Sequence, residues 1–252
     1  MLKIRVIPTL LWKDFGLVKG VQFNSWRRIG PVLQSIKLFN ERDVDELVLL
    51  DISATEQERD LDYDSISDFC DNCFIPLTVG GGISNIDQVQ KLFNCGADKV
   101  SINSFLYKKP ELINKISDKF GSQSLVVSID VKKQNNSWVC YGNCGKENMN
   151  INVIKWCKEV ESRGAGEILL TSIDNDGTFL GYDFELLKTI TNQVSIPVIA
   201  SGGAGNNSDF VRAVNYSGVS AVAAASIFQF TEKTPDDIKD AMNKEGIPVR
   251  ID

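Results

Sequence analysis

IPLTVGGG at 75–82 and IPVIASGG at 196–203 are two versions of one phrase. Each is a short apolar run, fit for a buried strand, that breaks into glycine. The glycines Gly82 and Gly203 lie 121 residues apart, and so do Glu46 before LVLL and Glu167 before ILL. CGADKVSINS (95–104) matches YSGVSAVAAAS (216–226) one residue further on, at an offset of 122, pairing Gly96 with Gly218 and Ser104 with Ser226. A repeat at a fixed offset is the mark of a duplicated structural unit. The second half of the chain therefore reads as a copy of the first.

Working outward, short β-branched runs alternate with helix-period stretches. The strand candidates are residues 4–10, 46–52, 74–79, 98–103, 124–130, 167–173, 196–200 and 220–226. Most are apolar on both faces, as parallel strands covered by helices must be. Residues 84–95 predict a helix capped by Ser84 and stopped at Gly96, and residues 152–163 predict another ended by Gly164. Pro31 and Pro110 suit first helical turns. Eight strand–helix units in 252 residues have the size of a (β/α)₈ barrel, read here as one domain over 1–252.

Composition narrows the chemistry. Hydrophobic residues make up 43% and charged residues 24%, the balance of a water-soluble globule. The net charge is −6 with no basic stripe, which argues against nucleic acid. No apolar run is long enough for a membrane span, and the start reads as no signal peptide, so a cytoplasmic protein is expected. The six cysteines read as reduced thiols rather than a metal site, although Cys70–Cys73 has CxxC spacing and Cys140–Cys144 is a looser pair. There is no histidine. Acid–base work falls to Asp, Glu, Lys, Tyr or Cys, and no cofactor is indicated.

In a barrel, active sites lie at the C-terminal ends of the strands. Gly81 and Gly82 with Asn103 and Ser104 would cradle one phosphate there; Gly202 and Gly203 with Ala225 and Ser226, joined by Gly177, would cradle another. Glycines in tight turns are the plainer alternative. Asp130 closes an apolar strand and is the candidate acid or base, while Asp51, Asp174 and Asp176 also crowd the rim. The counterpart of Asp130 in the first half falls at the end of strand one, where Leu11 stands. At the opposite end Arg5, Glu46, Lys99 and Glu167 begin four strands. Spacing alone leaves open whether they form a ring of ion pairs or four solvated charges.

DELVLLDIS, IPLTVGGGIS, GADKVSIN, GSQSLVVSID, GAGEILLTSIDNDGT, GYDFELL, SIPVIASGGAG and GIPVR together resemble the cyclase subunit of imidazole glycerol phosphate synthase, the HisF family, over nearly the whole chain. The resemblance implies a barrel docked through its N-terminal face to a glutaminase. Ammonia would pass a gate at Arg5, Glu46, Lys99 and Glu167 and a core route matched by Thr78 and Ser201. Asp98 matches an interface position. The partner chemistry at the other mouth would be a phosphorylated small molecule, a bisphosphate cyclised by two aspartates. The family's CLDVKDGRVVKG becomes TLLWKDFGLVKG here. The second catalytic aspartate is matched by Asp130, but the first falls on Leu11. The family's glycine–arginine becomes Phe15–Gly16, a loop lysine becomes Phe179 and a histidine becomes Gln229. That pattern is similar to a side branch encoded with surface-polysaccharide genes, which implies delivery of ammonia to a sugar amidotransferase. A working cyclase, with Asp14, Asp51 or Asp176 covering for position 11, is the alternative.

Overall fold

The computed structural model describes residues 2–14 and 16–251. The chain begins with β1 (Arg5–Lys13), the hairpin β2 (Gly16–Val21) and β3 (Asn24–Gly30), and α1 (Val32–Glu41). It continues through β4 (Leu47–Asp51), α2 (Tyr63–Asp71), β5 (Leu77–Gly80), α3 (Ile86–Asn94), β6 (Lys99–Ile102), α4 (Ser104–Lys108) and α5 (Glu111–Phe120). The second half runs β7 (Leu125–Gln134), the hairpin β8 (Ser137–Gly142) and β9 (Glu147–Asn152), α6 (Val153–Ser162), β10 (Glu167–Ser172), α7 (Phe184–Thr191), β11 (Val198–Ser201), α8 (Asn207–Ser217), β12 (Ala221–Ala224), α9 (Ser226–Phe230) and α10 (Pro235–Lys244).

Eight of these strands, β1, β4, β5, β6, β7, β10, β11 and β12, pair in parallel, and β12 returns to β1. The sheet is closed, with a helix after every strand: a (β/α)₈ barrel. The duplication is visible in the elements. Each half opens with an extra antiparallel hairpin after its first strand, and each last strand is followed by a five-residue helix, α4 or α9. None of the four hairpin strands is among those expected from the sequence; β3 and β9 are mostly polar.

Local signals act where they can be satisfied. The helix expected from Ser84 starts one residue later: Asn85 is the cap and accepts from the Gln88 N–H at 2.9 Å, while Ser84 turns to the Gln88 side chain. Asn caps favour this extended geometry. Asn152 caps α6, and Pro31 and Pro110 directly precede α1 and α5. Among the described residues no helix is long and apolar enough to cross a membrane.

Two cores result. The larger lies between helices and barrel wall; the smaller fills the barrel with Ile7, Val48, Val126, Leu169, Ile199, Ala221 and Ala223. Strand registers arrange the inward side chains in layers. Moving up one residue per strand leads from Thr9 through Gly80, Ser128 and Ser201 and back to Thr9. The same stagger places Ile7, Thr78, Val126 and Ile199 in a layer below. Interleaved with these lies the layer Val48, Ser101, Leu169 and Ala223, and beneath them Glu46, Lys99 and Glu167 join Ala221.

Candidate functional site

A cavity of about 560 Å³ opens at the C-terminal mouth. It gathers Leu11, Asp51, Gly81, Gly82, Asn103, Ser104, Asp130, Asp176, Gly177, Ser201, Gly202, Gly203, Ala225 and Ser226. The two glycine groups thus face one cavity from opposite halves. Gly82 has φ +69° and a Cβ there would meet the Ala54 methyl at 2.7 Å; Gly203 has φ +110° and a Cβ would strike the Gly181 carbonyl. Only glycine fits both turns, so the backbone lies bare at each. In the first group, the Gly82 N–H donates to Thr55 Oγ1 at 3.2 Å, and Ser104 Oγ accepts from the Asn143 N–H at 2.8 Å.

Asp130 is 8% exposed at the top of β7. It accepts from Asn103 Nδ2 at 2.7 Å, and Thr171 beside it on β10 also donates. Burial, then the charge of Asp176, pushes its carboxyl up to about 7 against those two donors. Such a group holds or releases a proton near neutrality, the property of a general acid–base residue.

The other rim carboxylates divide by their partners. Asp51 is fixed by the Ser53 hydroxyl, the N–H groups of Ser53 and Ala54, and Arg59 at 2.7 Å, so it braces the loop after β4. Asp174 accepts from the Lys133 N–H, and Asp14 from Gln57 on an exposed loop. Neither Asp14 nor Asp174 lines the cavity. Asp176 does, paired with Lys19 through both oxygens at 2.9 and 3.0 Å. Lys19 is a residue that the sequence reading missed. Its signal was a lone lysine inside the apolar run of β2, and it is 4% exposed.

Leu11 stands on the cavity wall, two residues above Thr9 as Asp130 stands two above Ser128. It supplies no donor or acceptor opposite Asp130. Phe179 is partly exposed, Gln229 keeps an unpaired buried Oε1, and Phe15 lies outside the described residues.

At the other end the four charges close on one another. Arg5 reaches Glu46 at 2.7 Å and Glu167 at 2.7 Å; Lys99 reaches Glu46 at 3.1 Å and Glu167 at 2.7 Å. Each cation touches both anions, which makes a ring rather than four solvated charges. Burial works against the Arg5 charge, but Glu167 and then Glu46 outweigh it and raise its pKa. Burial likewise opposes the Glu167 charge, and Arg5 and Lys99 overcome it and lower its pKa. Asp98 is exposed just before β6, with one oxygen accepting from the Leu77 N–H at 2.8 Å.

The thiols are dispersed. Cys70 and Cys73 lie by Asp98, whereas Cys144 lines the cavity at the other end. Burial pushes Cys70 up to about 12 and Cys144 up to about 11, the range of unreactive thiols. Among the described residues no group of His, Cys, Asp or Glu is placed to hold a metal.

Residues 5–234 match the family described as "Histidine biosynthesis protein". The "Imidazole glycerol phosphate synthase subunit HisF" of Endomicrobium trichonymphae is 47% identical, over 99% of this chain and 96% of its own. That of Dictyoglomus thermophilum is also 47% identical, over all of both chains. The "Putative imidazole glycerol phosphate synthase subunit hisF2" of Campylobacter jejuni is 43% identical, over all of both. The chain belongs to the HisF family of imidazole glycerol phosphate synthase subunits.

Proposed function

We propose that this chain is the ammonia-using subunit of a glutamine-dependent synthase. A glutaminase docks on the N-terminal face, around the exposed Asp98. Ammonia enters through the Arg5–Glu46–Lys99–Glu167 ring, passes Thr78 and Ser201, and meets a phosphorylated acceptor held between the glycine groups. The observation that carries this reading is the closed charged ring, joined to the cavity along the barrel axis by a column of mostly apolar side chains that also holds the hydroxyls of Thr78 and Ser101. Burying an ion in such a column costs far more than burying a neutral molecule of the same size. A route of this kind admits ammonia and refuses ammonium.

For the acceptor, imidazole glycerol phosphate synthesis is the reading that the relatives' names favour. Asp130 would then move protons during ring closure. Asp14 lies outside the cavity, and Asp51 and Asp176 are both ion-paired, with Arg59 and Lys19; of the two, Asp176 is the one whose charge acts on Asp130 and so the carboxylate nearest to assisting it.

One observation favours a second reading: Leu11 faces Asp130 where a second carboxylate would complete the pair. In this reading the bisphosphate is not cyclised, and ammonia passes to an amidotransferase that modifies a surface-polysaccharide sugar. The name hisF2 of the Campylobacter relative marks a second HisF-like protein without naming its acceptor. The test is turnover of the bisphosphate of imidazole glycerol phosphate synthase with ammonium salt, followed by absorbance, for the chain and for Leu11→Asp. Turnover by the unmodified chain supports the first reading. No turnover, with activity appearing in Leu11→Asp, supports the second.

A further inference from the structure

The two glycine groups are twins in sequence and differ in what surrounds them. Of the loops after β10, β11 and β12 that build the second group, Asp176 is the only charged residue lining the cavity, and Lys19 pairs with both of its oxygens. Among the described residues the Gly202 and Gly203 N–H groups make no hydrogen bond, so they stay open to an anion. The first group is already engaged: the Gly82 N–H donates to Thr55 Oγ1, and Ser104 Oγ holds the Asn143 N–H. Its rim is also acidic. Glu58 and Asp60 line the cavity from the loop that supplies Thr55. Glu147 lines it from β9, opposite Gly142, where a Cβ would lie 3.5 Å from Ser104 Oγ. Glu58 and Glu147 have no ion-pair partner among the described residues, and Asp60 is held by the neutral donors Gln88 and Tyr63. Asp51 and Arg59 neutralise each other. Lys108 is the one further cation lining the cavity, so three carboxylates face one ammonium.

A phosphate dianion entering this end meets net repulsion. One carboxylate about 8 Å away weakens its binding several-fold even at the dielectric of water. We propose that the acceptor carries a single phosphate, seated on the Gly202–Gly203 group, and that Glu58, Asp60 and Glu147 reserve the Gly82–Ser104 end for a group without negative charge. The inference rests on the phosphorylated-acceptor reading and narrows it: the acceptor is a phosphomonoester with an uncharged or amino-bearing far end, not a bisphosphate. Hydroxyl and amino groups suit that end, because a carboxylate accepts their hydrogen bonds. An unpaired like charge rejects the wrong ligand more sharply than any contact selects the right one. The arrangement agrees with Leu11, which leaves the pair for ring closure of a bisphosphate incomplete.

Calorimetric titration of the chain with inorganic phosphate at low salt should give one site. Crystals soaked in phosphate should show the anion against the Gly202 and Gly203 N–H groups, with none at Gly82 and Ser104. The double variant Glu58→Lys, Glu147→Lys should gain a second phosphate there; both side chains are exposed, so the fold tolerates the change. It should also bind the bisphosphate of imidazole glycerol phosphate synthase at least about tenfold more tightly than the parent, because the rim passes from acidic to basic. Glu147→Gln, which loses the charge and keeps the length, should gain about threefold. Two phosphates in the parent, one on each group, overturn the inference while the phosphorylated-acceptor reading stands. No phosphate on either group overturns both. A bisphosphate affinity unchanged in the double variant also overturns the inference, since charge would then not govern this end.

Discussion

Asp130 sits across the barrel mouth from Leu11, and its high pKa follows from what surrounds it. Burial and Asp176 disfavour its charge, and the Asn103 and Thr171 donors only partly compensate. The consequence for stability has a definite sign. Below about pH 4 the carboxyl is protonated in both folded and unfolded chains. Between there and about 7 the unfolded chain ionises while the folded one resists, so this group's contribution declines as pH rises and levels off above 7. Asp130→Asn should therefore be more stable than the parent at pH 8 by of the order of a few kcal/mol, with the gap closing by pH 4. Urea denaturation at both pH values measures it; equal gaps at the two would contradict the assignment. Leu11→Asp tests the same pair from the other side. If ring closure lacks only its second proton-transfer group, the variant should gain ~10²–10⁴ in bisphosphate turnover. Both effects rest on residues visible in the sequence. Lys19 was not, because its partner Asp176 is 157 positions away and only the folded hairpin brings them together.

At the scale of elements, the duplicated phrase made the barrel legible. Strand ends and glycine turns recur at an offset of 121 and the short helices after β6 and β12 at 122, and the structure places them at one mouth. What the phrase could not supply was height within the barrel. Layer membership depends on ladder register and on the stagger accumulated around eight strands, and no local pattern encodes either. Thr9 therefore read as one more strand residue until its register put it level with Ser128 and Ser201. The charged ring was ambiguous for the same reason: four strand-initial charges are ordinary unless the barrel closes them within hydrogen-bonding distance. The turns themselves make a prediction. Gly203→Ala forces a side chain into a positive-φ conformation and against the Gly181 carbonyl. It should cost ~1–3 kcal/mol of stability and, if this loop holds one end of the bisphosphate as proposed, weaken its binding about tenfold or more. Thermal melting and calorimetric titration give the two numbers. Binding unchanged in a destabilised variant would mean that the glycine serves the turn alone.

The whole molecule separates its tasks by end. Cavity, glycine turns and Asp130 occupy the C-terminal mouth; the charged ring occupies the N-terminal face. At that end two large apolar residues stand almost wholly in water, Phe74 at 85% and Leu2 at 91% exposed, three residues before β5 and β1. Neither supports the barrel, and their exposure is what a docked partner would relieve, since aromatic anchors dominate interface energies. If the glutaminase seats here, Phe74→Asp should weaken the complex at least tenfold, about 1.4 kcal/mol. The melting temperature of the isolated chain should stay within about a degree, because an exposed side chain contributes little to folding. Calorimetric titration of the glutaminase into parent and variant reads the affinity. A parallel assay reads glutamate release against product. The variant should lose coupling between the two while ammonium salt still drives the synthase reaction at the parental rate. A complex of undiminished affinity would move the docking site off this face, and the ring would then need another source for what it admits.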